Sequence, residues 1–227
     1  MSLIKSISGI RGTIGGGTND NLTPVDIVKF TAAYGTWIIQ SSQKNNGTAD
    51  KKIVVGRDGR ISGAMVKSLV ISTLNGLGID VIDLDLSTTP TVEMAVGFLK
   101  ADGGIILTAS HNPKEWNALK LLNSKGEFIS GYEGKLILEL AEKEAFSFAT
   151  VDKLGTTTVD DNMLDEHIKT ILTHQLVDAE AIAAANFKIV VDAVNSTGAT
   201  AVPALLKALG VENIVVLNGE VTGKFAH

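Results

Sequence analysis

The amino-acid sequence predicts an α/β fold made of two similar α/β/α layered domains with mixed sheets. Strand-sized apolar runs alternate along the chain with helix-sized amphipathic runs, which is the pattern of α/β proteins. The motif Lys-Ile-Val-Val occurs at residues 52–55 and again at 188–191, and each copy is followed by a turn, a helical segment, a glycine and a returning strand. A recurring unit of this kind indicates two domains of similar architecture.

Proline, serine and glycine mark the helices of the first half. Pro24 and Pro90 stand where helices begin, because the first helical turn does not need the N–H that proline lacks. Ser62 is the predicted N-cap of a further helix, which Gly76 and Gly78 end. The predicted strands of this half are 52–55, 79–84, 104–107 and 117–122.

The two predicted domains meet in a polar stretch with little periodicity, at residues 142–158. We therefore assign residues 1–150 to the first domain and residues 151–227 to the second. After the second Lys-Ile-Val-Val motif, the chain turns into a helix through three candidate capping residues, Asn195, Ser196 and Thr197.

Composition and charge exclude several classes of protein. The chain has 44% hydrophobic and 20% charged residues, as folded globular proteins have. The net charge is −5 and there is no basic run, so we expect no nucleic-acid partner. The apolar runs are too short to span a membrane, and the N-terminus lacks the apolar core of a secretory signal. The absence of cysteine excludes disulfides, and no two of the 4 histidines have metal-ligand spacing. A cytoplasmic enzyme is the expected class.

The block Thr-Ala-Ser-His-Asn-Pro at residues 108–113 is the main candidate for chemistry, because it follows a predicted buried strand. Pro113 pushes Asn112 out of helical geometry, which favours a rigid turn around Ser110. A serine on a rigid turn suits phosphoryl transfer, which depends on positioning and charge neutralisation. The local sequence also allows Ser110 merely to cap a turn. His111 could transfer protons or orient the loop.

Two cations could act with this serine. Lys120 lies on the predicted strand that runs back from the block, so its ammonium group could face Ser110, although lysines on strands are often solvated edge residues. Arg11 lies between glycines, where its planar guanidinium could reach a phosphate while the backbone bends. The segment around Arg11 could equally be a flexible surface turn.

A second charged motif, Gly-Arg-Asp-Gly-Arg, occupies residues 56–60. We expect Arg57 and Asp58 to form an ion pair beneath the serine block. We expect Arg60 to face solvent.

Three segments together resemble the active-site motifs of the α-D-phosphohexomutases, the phosphoglucomutase and phosphomannomutase enzymes. They are the serine block at 108–113, the Ser-Gly-Ile-Arg-Gly segment at 8–12 and the Asn-Ala-Leu-Lys segment at 117–120. The resemblance implies that Ser110 carries a phosphate, that Arg11 faces it and that Lys120 is a general acid or base. The implied catalytic residues are Ser110, Lys120, His111 and Arg11, and the implied substrate-binding residues are Asn117 and Arg11.

The resemblance also implies a reaction. A phosphoserine would donate its phosphate to a hexose phosphate, the resulting bisphosphate would reorient, and the other phosphate would return to the serine. Glucose or mannose phosphate is the implied substrate, with glucosamine phosphate as an alternative. Mg²⁺, bound through the phosphate on Ser110, is the implied metal, and hexose 1,6-bisphosphate is the implied activator. No membrane partner is expected. The sequence does not indicate whether the protein is a monomer or an oligomer.

One motif of the resembled family does not occur among the 227 residues, namely the metal-binding loop Asp-Gly-Asp-x-Asp-Arg. We therefore expect the second domain to be incomplete, and the chain to be the N-terminal part of an enzyme and inactive alone. A non-enzymatic alternative is a stand-alone α/β binding module that keeps the serine loop. A serine hydrolase is disfavoured because the chain lacks a Gly-x-Ser-x-Gly elbow.

Overall fold

A computed structural model describes residues 2–6, 9–44 and 51–225. The main sheet contains β1 (Ile4–Ser6), β2 (Gly9–Thr13), β3 (Lys51–Arg57), β4 (Ile79–Leu86), β5 (Gly103–Leu107), β6 (Trp116–Leu122) and β7 (Thr157–Val159). Within the described residues their order is β1-β2-β6-β5-β3-β4-β7. β3 is parallel to β4 and β5, and β4 is parallel to β7, whereas β2 and β6 are antiparallel to their neighbours. The sheet is therefore mixed, as the sequence predicts.

Helices cover both faces of this sheet. In chain order the α-helices are α1 (Pro24–Lys44), α2 (Gly63–Gly76), α3 (Thr89–Phe98), α4 (Gly131–Lys143), α5 (Met163–Leu172), α6 (Ala179–Ala184) and α7 (Gly198–Ala208). Ile53 and Val55 of β3 pack into a core formed with α1, α2 and α4. Val54 points to the opposite face and packs with α3 and α5. Because side chains alternate along a strand, one apolar run supplies both cores, and the layered α/β/α prediction is confirmed.

Tyr34 of α1 joins this helix to the centre of the sheet. Its fully buried hydroxyl donates to the carbonyls of Gly104 at 3.1 Å and Leu122 at 2.7 Å. Burial raises the pKa of the Tyr34 phenol, so the hydroxyl remains a donor. The contact needs glycine at position 103, because a Cβ there would collide with the tyrosine oxygen.

The predicted helix starts are confirmed at Pro24 and at Thr89, but the predicted side-chain caps are not all correct. Ser62 precedes α2 without capping it, and its Oγ instead accepts a hydrogen bond from Asn117. Of the three candidates before α7, Thr197 occupies the N-cap position without a side-chain cap bond. Ser62 Oγ and Ser196 Oγ accept from Asn117 and Gly59, which are distant in sequence, and a local capping rule does not consider such partners.

The first copy of the Lys-Ile-Val-Val motif lies in β3 of the main sheet, and the second copy lies in β8 (Lys188–Asp192) of a second, two-stranded sheet. β8 and β9 (Asn213–Leu217) pair in parallel, and α7 connects them. The short strand β7 belongs to the main sheet although it lies after residue 150. The division into 1–150 and 151–227 stays a prediction. No helix among the described residues is long and apolar enough to cross a membrane.

Candidate active site

Ser110 lies on an exposed turn just after the carboxyl end of β5, with its backbone in the left-handed region at φ +53°. This conformation is uncommon for a residue with a side chain, so the surrounding structure must hold it. The Ser110 N–H donates to Thr108 Oγ1 at 3.0 Å, and the Asn112 N–H closes the turn on the carbonyl of Ala109 at 3.1 Å. The serine hydroxyl is thus presented to solvent on a constrained loop.

Arg60 lies beneath this loop, so the prediction that it faces solvent is wrong. The residue is only 1% exposed. Its Nη1 donates to the carbonyls of Pro113 at 2.8 Å and Trp116 at 2.9 Å, and its Nη2 to those of Ser110 and Asn112, both at 2.8 Å. Nε donates to Asp58 at 3.1 Å, so all five guanidinium N–H donors have a partner. Such complete pairing makes burial of the cation tolerable.

Asp58 pairs with Arg60 and not with Arg57, which corrects the predicted ion pair. The Asp58 carboxylate also accepts a hydrogen bond from the Thr108 hydroxyl at 2.6 Å. The distance from its Oδ2 to Arg60 Nε is 3.1 Å. Asp58 does lie beneath the serine block as predicted, because β3 ends beside β5 in the sheet.

Arg57 instead belongs to a neighbouring charge cluster. It pairs with Asp85 at 2.8 Å, and Lys67 pairs with both Asp83 and Asp85 at 2.7 Å. Burial alone would raise the pKa of Asp85, but hydrogen bonds from Lys67 and Arg57 outweigh it and place this pKa below its ordinary value. The Lys67 pKa is raised, because hydrogen bonds to the same carboxylates outweigh its burial.

Lys120 does face Ser110, as its position on the returning strand predicts. β6 runs antiparallel to β5, with Lys120 opposite Ile106, so the lysine returns to the end of the sheet where the serine loop lies. Its Nζ donates to Ser110 Oγ at 2.7 Å. The Phe128 ring lies 5.8 Å from the same nitrogen. The pair has the geometry that general acid–base catalysis requires.

The pKa of the Lys120 amine lies below its ordinary value. Burial is the main cause, because it disfavours the charged form. The carboxylates of Asp58 and Glu93 oppose this effect, and the cations Arg11 and Arg60 reinforce it. A lysine that exchanges protons at moderate pH needs a shift in this direction.

Arg11 lies within β2, opposite Ala118 of β6, and not in a flexible surface turn. It lines a cavity of about 110 Å³ together with Ser110 and Lys120. Its Nε is buried and has no hydrogen-bond partner among the described residues. Because Arg11 shares this cavity with Ser110 and Lys120, a phosphate bound there would have a guanidinium group in the cavity wall, and guanidinium groups bind phosphate strongly. Ser8, the first residue of the predicted Ser-Gly-Ile-Arg-Gly segment, lies outside the described residues.

Asn117 and His111 differ in how they relate to this centre. Asn117 is 0% exposed, and its amide nitrogen donates to Ser62 Oγ at 2.9 Å. The structure therefore does not bring Asn117 to the cavity with the other predicted residues, and its contact with substrate stays a prediction. His111 is exposed beside Ser110. It borders the small cavity that Arg11 lines and also a second, larger cavity at the serine loop.

A larger cavity of about 800 Å³ opens on the other side of the serine loop. This volume is within the range of small-molecule sites. Its walls combine the serine loop with residues that the sequence analysis did not assign to a site: Ser87, Thr88, Ser196, Thr197 and Phe225. The turn before α7 and the segment after β9 both pack against the loop that follows β3, where Gly59 N–H donates to Ser196 Oγ and Arg60 contacts Phe225. Only this three-dimensional packing brings the residues together, so no local motif could have identified them.

The described residues do not form a metal site by themselves. No group of three or more histidine or carboxylate side chains among residues 2–6, 9–44 and 51–225 could hold a metal ion. A phosphate on Ser110 would add oxygen ligands of the kind that Mg²⁺ prefers, but Mg²⁺ requires near-octahedral coordination. The predicted Mg²⁺ would therefore need ligands beyond these residues.

The sequence of this chain is similar to those of known sugar-phosphate mutases. A sequence model described as phosphoglucomutase/phosphomannomutase, alpha/beta/alpha domain I, matches residues 3–148. A phosphoglucomutase/phosphomannomutase of Thermococcus kodakarensis is 36% identical over 225 residues, covering 99% of this chain and 46% of the relative. A phosphoglucosamine/phosphogalactosamine mutase of Sulfurisphaera tokodaii is 33% identical over 227 residues, covering 100% of this chain and 46% of the relative. The chain spans about half the length of the curated relatives it matches.

Solved structures share the fold. A putative phosphomannomutase from Thermus thermophilus superimposes with a TM-score of 0.79 at 24% identity, covering 98% of this chain and 47% of that protein. A phosphoglucomutase/phosphomannomutase family protein from Burkholderia thailandensis gives a TM-score of 0.76 at 24% identity, covering 99% of this chain and 46% of that protein. The layered architecture is thus common to these proteins.

Proposed function

Because this chain belongs to the phosphoglucomutase/phosphomannomutase family, we propose that the polypeptide carrying it moves phosphate between the 1- and 6-positions of a hexose phosphate through a phosphoserine at Ser110. The observation that carries the proposal is the 2.7 Å contact between Lys120 Nζ and Ser110 Oγ at a cavity that Arg11 also lines. A nucleophile, a proton acceptor and an anion-binding group are thereby available in one place.

The chemical step follows from these positions. Ser110 Oγ attacks the phosphorus of a bisphosphorylated hexose, a new O–P bond forms, and the bond from phosphorus to the sugar oxygen breaks. The proton of the serine hydroxyl passes to the neutral amine of Lys120, and the departing sugar oxygen becomes a hydroxyl by taking a proton from the solvent to which the loop is exposed. In the reverse direction the ammonium group returns that proton as the serine oxygen leaves. The lowered Lys120 pKa supports this role, because it enlarges the neutral fraction at a given pH.

Charge is the second requirement. A phosphoserine carries about −1.5 to −2 charges at pH 7, so it repels an approaching sugar phosphate. Arg11 and Lys120 border the same small cavity and supply two positive groups against this repulsion. The proposal includes Mg²⁺, with ligands beyond the described residues, and hexose 1,6-bisphosphate as activator. Because the described residues hold no metal ligand group, no step of the proposed reaction is assigned to the metal.

Glucose or mannose phosphate is the proposed substrate, in the cytoplasm. Glucosamine phosphate is a second candidate, because a relative named as a phosphoglucosamine/phosphogalactosamine mutase covers 100% of this chain. A coupled assay of the complete natural polypeptide with the three sugar 1-phosphates separates these candidates. A clear preference for glucosamine 1-phosphate would replace the glucose or mannose assignment.

Phosphorylation of Ser110 is the direct test. The complete polypeptide is incubated with glucose 1,6-bisphosphate, and the intact mass is measured before and after, followed by peptide mapping. We expect one phosphoryl group on Ser110 and none in Ser110→Ala, with mutase turnover abolished in that variant. Ser68→Ala is the matched control, because Ser68 is an exposed serine on α2 whose hydroxyl donates to the carbonyl of Ala64, away from both cavities. Normal turnover in Ser110→Ala would refute the proposal. Binding of the bisphosphate without phosphorylation would favour the non-enzymatic binding module.

A further inference from the structure

The backbone of Ser110 is held on both sides by one ion pair, formed by the buried Arg60 and the partly buried Asp58. On the N-terminal side, the Ser110 N–H donates to Thr108 Oγ1, whose hydroxyl donates to Asp58. On the C-terminal side, the Ser110 carbonyl accepts from Arg60 Nη2 at 2.8 Å. Asp58 and Arg60 are bonded to each other at 3.1 Å, which closes a ring through the serine. The ring constrains the residue whose φ of +53° is least favoured in the loop.

Arginine is the one side chain that can complete this ring. Four carbonyls and one carboxylate surround the guanidinium of Arg60, and each occupies one of its N–H donors. A lysine ammonium has three donors on one nitrogen and cannot reach groups spread along residues 110–116 at once. The Phe225 ring lies 5.0 Å from the guanidinium carbon and covers it on one side. Four of the five guanidinium N–H groups of Arg60 are thus hydrogen-bonded to backbone carbonyls of the serine loop and the residues just after it.

Resting on the function proposed above, we propose that Arg60, anchored by Asp58, is a positioning residue for the phosphoryl acceptor. Its side chain has 0% exposure, so it cannot contact the sugar phosphate and acts through Ser110. It holds the serine in the left-handed conformation that keeps Oγ at 2.7 Å from Lys120 Nζ. This positioning role is separate from neutralising the phosphate charge, which the proposed function assigns to Arg11 and Lys120.

The substitution Arg60→Lys tests the role, because it keeps the positive charge and the length to reach Asp58 but loses the fork. In the complete polypeptide we expect kcat to fall about 100-fold, the cost of misplacing a reacting group by about 1 Å. The KM for the sugar 1-phosphate should stay unchanged, because groups that touch the substrate remain. Amide hydrogen exchange across residues 108–113 should become faster, since the loop has lost its carbonyl partners.

Arg57→Lys is the matched control. Arg57 lies three positions earlier and also pairs with a carboxylate, but it directs its guanidinium to Asp85 and to the Asp58 carbonyl instead of the serine loop. We expect kcat and loop exchange near those of the unsubstituted protein. If Arg60→Lys changes both no more than Arg57→Lys does, the positioning role is refuted. A rise in KM at unchanged kcat would also refute it.

A milder variant covers the case in which Arg60→Lys does not fold. Thr108→Val keeps the shape of the side chain and removes the hydroxyl that links Asp58 to the Ser110 N–H. We expect it to speed exchange at residue 110 and to lower kcat at constant KM, and unchanged values would contradict the ring. Failure of the proposed function is distinguishable, because hydrogen exchange reports the ring even in a protein that never accepts phosphate on Ser110.

Discussion

Replacing Lys120 by methionine would remove the amine that lies 2.7 Å from Ser110 Oγ while retaining an unbranched side chain. A positioned acid or base typically contributes about 10²–10⁴-fold to a rate, which corresponds to about 3–5 kcal/mol of activation free energy. We therefore expect phosphoryl transfer from hexose 1,6-bisphosphate to Ser110 to slow by that factor in Lys120→Met. The assay is a single-turnover quench with intact-mass detection of the phosphorylated polypeptide, which isolates chemistry from product release.

A second variant, Lys120→Arg, separates charge from proton transfer. Arginine keeps a positive charge but does not lose its proton in proteins. We expect it to bind the sugar phosphate about as well as lysine does and to transfer phosphate nearly as slowly as Lys120→Met. An Arg variant within about tenfold of the unsubstituted rate would show that Lys120 acts through charge alone. A methionine variant within that range would refute any chemical role.

The pH dependence of the same step gives an independent check. The Lys120 pKa lies below its ordinary value of 10.5, chiefly because the amine is partly buried. In the proposed step the neutral amine accepts the serine proton, so the transfer rate should rise with pH and level off below pH 10.5. The rising limb should be absent in Lys120→Met. If the rising limb persists in that variant, the limb belongs to another group and the proton-acceptor role of Lys120 is refuted.

Two further predictions concern stability. Gly103→Ala should destabilise the fold by about 1–3 kcal/mol in urea denaturation, because its Cβ collides with the Tyr34 hydroxyl. Gly97→Ala, at an open helical position, should instead stabilise it by about 0.5–1 kcal/mol, and equal effects of the two changes would contradict the packing described. The Asp85 pKa lies below its ordinary value of 3.8, so its contribution to stability is present above pH 3.8 and lost as pH falls through the lower folded value. Asp85→Asn should therefore lower stability at neutral pH and weaken the acid-induced loss, and an unchanged acid limb would contradict the ion pairs with Lys67.

Local patterns were sufficient for much of the architecture. The alternation in β3, where Val54 and its neighbours face opposite cores, is a property of any strand and needs no knowledge of the fold. Pro24 and Pro90 indicate helix starts for an equally local reason. The proximity of Lys120 to Ser110 could also be predicted, because an antiparallel return strand brings its residues back beside the loop it follows.

The arginines show where such patterns fail. In the sequence, Arg57 and Arg60 flank Asp58, and nothing nearby says which of them pairs with it. The choice depends on Asp85, 28 positions after Arg57, and on carbonyls more than 50 positions after Arg60. Long charged side chains select partners by distance in space, and burial without partners is costly, so only the packed structure decides which arginine is buried.

The sequence by itself therefore determined the order of the main strands and helices, the layered fold class and the turn at Ser110 after a buried strand, because each depends on neighbouring residues. The tertiary structure decided how that loop is held, that Asn117 turns into the interior, and that Arg11 lines the same cavity as Ser110 and Lys120. Hydrogen bonds and ion pairs between distant segments exist only after those segments have packed together. The chemistry of this site depends on both: local sequence supplies the reactive groups, and long-range packing sets their geometry.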